Sequence, residues 1–193
     1  KKKFNINDKF IVCPSGSSVN SNFIFKKNKK KLNIGYFGSI YKSRGVDIIL
    51  KLSTIDKKNN YHLFGDLSKY KNIKLKYNNK NLFIHGYIPY KKVKKKLNDM
   101  DIFLMPYTNK VTVTGDVGDI TEFTSPLKMF DYLSSGKLII CSNIRVFKEI
   151  LKKDKNAIYV KNFNNVLAWK HEIEKIKNQT GKRFQISKNN FKL

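Results

Sequence analysis

The sequence predicts a single α/β domain: a parallel sheet with helices on both faces. Three observations lead there. Short apolar runs recur without polar alternation, as strands buried on both faces require. Amphipathic stretches separate them. Glycine or proline closes most of the runs, marking strand ends. The run 32–37 reads as the first strand and stops at Gly38. Residues 46–53 carry Val46, Ile49, Leu50 and Leu52 at helical spacing. The runs 61–64 and 81–85 are further strands, closed by Gly65 and Gly86. The stretch 90–100 is a very basic helix burying Val93, Leu97 and Met100. Residues 101–105 form a strand stopped by Pro106, and a helix follows from Pro126. The runs 137–141 and 157–160 are the last strands, with a short helix over 146–151 between them. A longer helix over 163–177 is read with Val166, Leu167, Ile173 and Ile176 inward. Residues 1–31 read as a connecting segment, 32–177 as the Rossmann-like domain, and 178–193 as a polar C-terminal tail.

Composition narrows the class. The 193 residues suit one domain, and 40% apolar content with 13% aromatic supplies a real core. No run approaches the ~18 apolar residues of a membrane span. The start, Lys-Lys-Lys-Phe, lacks both Met and the apolar core of a signal peptide, so the sequence reads as a piece of a longer protein. Net charge is +26, from 40 Lys+Arg against 14 Asp+Glu. Arginine is nearly absent from that total: Arg44, Arg145 and Arg183 only. A nucleic-acid surface favours arginine for bidentate base contacts. The charge therefore reads as a compositional bias toward lysine, still compatible with peripheral contact at an anionic membrane. Cys13 and Cys141 have no metal-site spacing and read as buried free thiols of a cytoplasmic protein.

In such sheets the ligand sits beyond the carboxyl ends of the strands. Two segments there carry chemistry. Residues 125–136, Ser-Pro-Leu-Lys-Met-Phe-Asp-Tyr-Leu-Ser-Ser-Gly, read as a helix prepared for an anion. Ser125 is a good N-cap and Pro126 suits the first helical position. Gly136 ends the helix cheaply. Free amides at the start favour phosphate. Lys128 sits in the first turn, where a cation is unfavourable for the helix itself and points to a negative ligand. Asp131 shares roughly its face. The second segment is the loop 38–45, where Gly38 lets the backbone approach a ligand and Arg44 offers a bidentate phosphate contact. Arg44 and Lys128 would neutralise a diphosphate from two sides. Glu122 lies in the long polar loop 108–124. Asp116, Asp119 and Glu122 fit no calcium loop. His62, His85 and His171 have no nucleophile partner at a recognisable spacing.

The order of these pieces resembles the C-terminal, nucleotide-sugar-binding domain of a GT-B glycosyltransferase of the group 1, or family 4, type. Cys13-Pro14-Ser15-Gly16, Ile34-Gly35-Tyr36-Phe37-Gly38 with Arg44-Gly45, His85-Gly86-Tyr87-Ile88-Pro89 and the 125–137 segment carry the likeness. It runs from about residue 10 to about 177. The resemblance implies transfer of a sugar from a nucleotide-diphosphate sugar to an acceptor hydroxyl, retaining, in cell-surface polysaccharide synthesis, with no metal and no other cofactor. It implies that Gly38, Arg44, Lys128, Ser125, Pro126 and Leu127 hold the diphosphate. Tyr87 and Ile88 would border the base, Asp131 would take the ribose, and Glu122 and Asp131 would be the catalytic carboxylates. Acceptor glycan or lipid-linked sugar would be met largely by an N-terminal half. Two positions depart from the family pattern. In Glu-x7-Glu the second Glu is Asp131, and the first falls at Phe123, one residue after Glu122. The base usual after the loop glycine is Ser39. Two rival readings follow: a non-catalytic nucleotide- or sugar-binding module of this fold, and a basic binder of anionic surfaces or nucleic acid.

Overall fold

A computed structural model describes residues 16–17, 22–27, 29–40, 42–66, 76–112, 118–121 and 127–193. Six strands form one sheet: β1 (Asn33–Phe37), β2 (Asn60–Phe64), β3 (Leu82–Gly86), β4 (Ile102–Met105), β5 (Leu138–Ser142) and β6 (Ala157–Val160). Their order is β3-β2-β1-β4-β5-β6 and every pairing is parallel. Strands β4, β5 and β6 are buried throughout, which is why they read as continuous apolar runs. At the edge, β3 is only half buried.

Helices cover both faces. On one, α1 (Val46–Ile55), α5 (Val166–Asn178) and α6 (Thr180–Phe191) bring Val46, Ile49, Leu50, Trp169, Ile173 and Ile186 against Ile34, Ile102, Leu104 and Ile140. On the other, α2 (Tyr90–Asn98), α3 (Leu127–Ser134) and the single turn α4 (Arg145–Lys148) bring Leu97, Met129, Leu133 and Phe147 against Phe37, Phe103, Met105 and Ile139.

Three sequence expectations change. Leu167 points outward, 61% exposed, and fully buried Trp169 takes the inward place, its indole N–H donating to the Phe163 carbonyl at 2.8 Å. The Asn165 side chain caps α5 by accepting from Leu167 N, which sets the phase that turns Leu167 out. Residues 178–193 are no tail: they finish α5 and form α6, whose inner face is mostly polar. Asn190 Nδ2 donates to the carbonyls of Lys137 and Asn156 at 2.8 and 2.9 Å. Arg183 Nη2 donates to the carbonyls of Lys26 and Lys27 at 3.2 and 3.1 Å. Of the segment read as a connector, residues 22–27 pack on the domain, with Phe23 and Phe25 against Phe184 and Phe191 of α6.

Candidate functional site

The strand order reverses between β1 and β4, because β1 connects onward to β2 on one side while β4 leads to β5 on the other. The crevice beyond their carboxyl ends is the topological switch point of this fold class. Three chain segments meet there. β1 ends at Gly38, whose N–H donates to the Phe64 carbonyl at 2.9 Å. A 3-10 turn, Lys42–Arg44, follows and carries Arg44. Pro106 and Tyr107 continue from β4, and α3 brings Lys128.

The 3-10 turn and the segment after β4 are fastened together. Thr108 N donates to the Ser43 carbonyl at 3.1 Å, and Thr112 Oγ1 donates to Ser43 Oγ at 2.9 Å. Gly45 makes this approach possible: its φ is 68°, and a Cβ there would lie 1.6 Å from the Pro106 carbonyl oxygen. The Tyr107 carbonyl accepts from Ser142 Oγ at 2.6 Å, tying the segment to β5. Helix α3 is registered on β1 by Tyr132, whose hydroxyl accepts from Phe37 N at 2.8 Å and donates to the Phe37 carbonyl at 3.2 Å.

These ties bring Gly38, Arg44 and Lys128 together as the sequence predicts. Lys128 Nζ lies over Gly38, where a Cβ would be only 2.5 Å away, and Gly38 has φ 130°. The amine donates to Tyr36 Oη at 3.0 Å and stands 4.2 Å from the Tyr36 ring centre and 5.4 Å from that of Tyr107. The Arg44 guanidinium lies 4.7 Å from the same Tyr107 ring centre. Its Nη1 is buried and meets no hydrogen-bond acceptor among the described residues. Burial, with the Arg44 charge adding to it, lowers the Lys128 ammonium to about 7. Burial pushes the Tyr107 hydroxyl up, with Arg44 pulling the other way.

Asp131 sits three residues on from Lys128 and is engaged: Ser17 Oγ donates to its Oδ1 at 2.6 Å, and Tyr90 Oη at 3.1 Å. The Tyr90 bond draws the loop after β3 toward α3. In that loop Tyr87 is 76% exposed and Ile88 packs on the core. Leu127 opens α3 and is exposed. Glu122, Ser125 and Pro126, with Cys13, lie outside the described residues. Tyr36, Tyr107, Tyr90 and Ser17 are the neighbours sequence reasoning missed. Tyr107 alone carried a signal, as the aromatic residue directly after the strand-ending proline.

Two other features stand apart. His62 and His85 touch across β2 and β3, ring nitrogens 3.0 Å apart, with burial lowering both. A hollow of about 840 Å³ beside β6 and α5, lined by Lys148, Lys161, His171 and Lys175 among others, contains none of the predicted site residues. Among the described residues no helix is long and apolar enough to cross a membrane, and no group of three or more metal-ligating side chains gathers.

Solved structures with this fold include glycosyltransferases. Anabaena Alr3699/HepE in complex with UDP-glucose superposes with TM-score 0.65 at 12% identity, over 83% of this chain and 43% of that one. TarM gives 0.68 at 14%, over 92% of this chain and 34% of that one. The C-terminal domain of the group 1 family protein LpcC from Francisella tularensis gives 0.66 at 16%, over 92% and 95%. The chain thus spans less than half the length of HepE and TarM, and nearly all of the LpcC C-terminal domain. No curated protein sequence matches it. The family model for glycosyl transferases group 1 matches residues 19–193. With a six-stranded parallel sheet in the order of a Rossmann-like half and a family match over nearly its whole length, the chain belongs to the group 1 glycosyl transferases.

Proposed function

We propose that this chain is the donor-binding half of a glycosyltransferase that moves a sugar from a nucleotide-diphosphate sugar to an acceptor hydroxyl, with retention, in polysaccharide synthesis. One observation carries the reading. Arg44 and Lys128, from elements 84 residues apart in sequence, converge on the Tyr107 ring at the switch point, with the Lys128 amine over Gly38. Two cations are what a diphosphate needs, first in the bound donor and then, with more charge, as the departing nucleotide. Arg44, and Lys128 once protonated against the bound phosphate, supply that charge, so no metal is required. Asp131 would take the ribose in place of its present partners Ser17 and Tyr90. The exposed Tyr87 and its neighbour Ile88 border the base. Backbone groups of Ser125, Pro126 and Leu127 hold phosphate, and Glu122 and Asp131 supply the carboxylates. Acceptor glycan or lipid-linked sugar is met by the other half of the enzyme. UDP-glucose in the HepE structure makes a uridine nucleotide the first donor to try.

Calorimetric titration with UDP, GDP and ADP, beside Lys128→Ala, tests this. Saturable binding of one nucleotide that the variant loses is expected. A folded chain that binds no nucleotide, or binds equally after Lys128→Ala, refutes the diphosphate assignment.

A further inference from the structure

Arg44 and Lys128 are half-buried, and cations held side by side away from water repel, so that proteins ordinarily pair each with a carboxylate. Here the described ion pairs are Lys29–Asp101, Lys96–Asp99 and Lys182–Asp154; none includes Arg44 or Lys128. Ring faces stand where carboxylates would. The Tyr107 ring is shared, with Arg44 at 4.7 Å and Lys128 at 5.4 Å from its centre, and the Tyr36 ring faces Lys128 at 4.2 Å. The Tyr36 hydroxyl accepts from Lys128 and donates to the Ser39 carbonyl at 2.7 Å, which fixes its direction. Both rings are rigidly held: Tyr36 is 0% and Tyr107 1% exposed. Ser39 is also the position where a further base is absent, and the Lys128 amine lies over the adjoining Gly38.

A ring face attracts a cation through its quadrupole but carries no net charge. It can therefore hold a base without neutralising it. Resting on the diphosphate reading above, we propose that Tyr36 and Tyr107 are positioning residues of the anion site, whose ring faces keep Arg44 and Lys128 together and uncompensated, so that the incoming phosphates supply the neutralising charge. A consequence is proton-coupled binding. The groups facing Lys128 among the described residues are Tyr36 from β1, Tyr107 from the segment after β4 and Arg44 from the 3-10 turn, with no acid among them. With its ammonium lowered to about 7, Lys128 is largely neutral above that pH in the empty site and gains a proton when phosphate arrives.

The test is calorimetry on the whole chain with UDP and with inorganic pyrophosphate. At pH 7.5, in buffers of different ionisation enthalpy, UDP binding should take up more proton than in Lys128→Arg, whose guanidinium stays charged. Tyr36→Phe, which keeps the ring, should bind within about threefold of wild type. Tyr36→Leu and Tyr107→Leu should each weaken binding roughly 3- to 30-fold. Folded Leu variants that bind as tightly as wild type, or tighter, overturn the cradle. So does proton uptake equal to that of Lys128→Arg, a readout that needs no ring variant to fold. UDP binding lost in Lys128→Ala but indifferent to the rings sinks the cradle and leaves the donor reading standing. Ring-dependent binding in which UDP gains nothing over pyrophosphate supports the cradle and sinks the donor reading.

Discussion

Replacing Gly38 by alanine probes the contact on which the site is built. The residue has φ 130°, a region other residues occupy at a cost of about 1–3 kcal/mol. The added Cβ would also meet Lys128 Nζ at 2.5 Å and Cε at 2.9 Å. The lysine end must swing away, giving up its hydrogen bond to Tyr36, about 1 kcal/mol, and part of its ring contact. Together these come to about 2–4 kcal/mol of folding stability. In a chain of this size that is roughly 5–12 °C in Tm. Urea unfolding followed by circular dichroism measures it, in four proteins: wild type, Gly38→Ala, Lys128→Ala and the double variant. With Lys128 already truncated, only the backbone cost remains, so the two changes should be less than additive by at least about 0.5–1 kcal/mol. Costs that simply add within about 0.5 kcal/mol, a range expected of independent sites, would refute a lysine lying over Gly38.

Lys128→Ala should itself weaken UDP binding by about 1.5–3 kcal/mol, the worth of one charge-assisted contact, read by titration at moderate salt. Nucleotide binding should survive a chelator, checked by repeating that titration in EDTA; lost binding would restore a metal to the site. His62, lowered to about 4 from 6.5, is favoured neutral in the fold, so its contribution is complete above pH 6.5 and is lost as pH falls from there toward 4. Thermal melts across that window should flatten in His62→Phe, which keeps the ring stack on Phe83 and removes the titration. Arg183→Ala should loosen residues 22–27 by removing two carbonyl contacts and the guanidinium 5.0 Å from the Phe25 ring, at a cost of about 1–3 kcal/mol. Faster proteolysis of that segment is the readout.

The sheet was legible because its strands are buried on both faces, and a run such as Ile102-Phe103-Leu104-Met105 has few other uses. The pair Arg44 and Lys128 was legible because each follows a strand end or opens a helix, where ligands of such sheets collect. Helix α6 was hidden by its own chemistry. Its buried face includes Arg183, Ser187 and Asn190, with Arg183 Nη2 and Asn190 Nδ2 donating to carbonyls of distant segments, while Phe184 and Phe191 are each 39% exposed. Apolar periodicity cannot report a face of that kind. Leu167 was misplaced because periodicity fixes a helix's phase only to within one residue, and the Asn165 cap set it otherwise. The ring cradle was invisible for a different reason. Tyr36 looks like any core tyrosine of a strand until Lys128, 92 residues later, is laid upon it.

The central place of β1 also bears on how the chain reaches this form. β1 meets β2 across 27 residues, Asn33 against Asn60, but meets β4 across 68, Ile34 against Ile102. Closing the longer loop costs about 1 kcal/mol more in chain entropy. The β1–β2–β3 half is therefore expected to form first, with β4 docking afterwards and drawing Tyr107 and α3 into place. Since Gly38 and Arg44 belong to the early half and Lys128 to the late one, the crevice closes only when the two halves of the sheet join. Destabilising the β4 side would then leave a collapsed intermediate with its first three strands paired and no phosphate site, a species that amide hydrogen exchange would reveal as protected in β1 and β2 and open in β5.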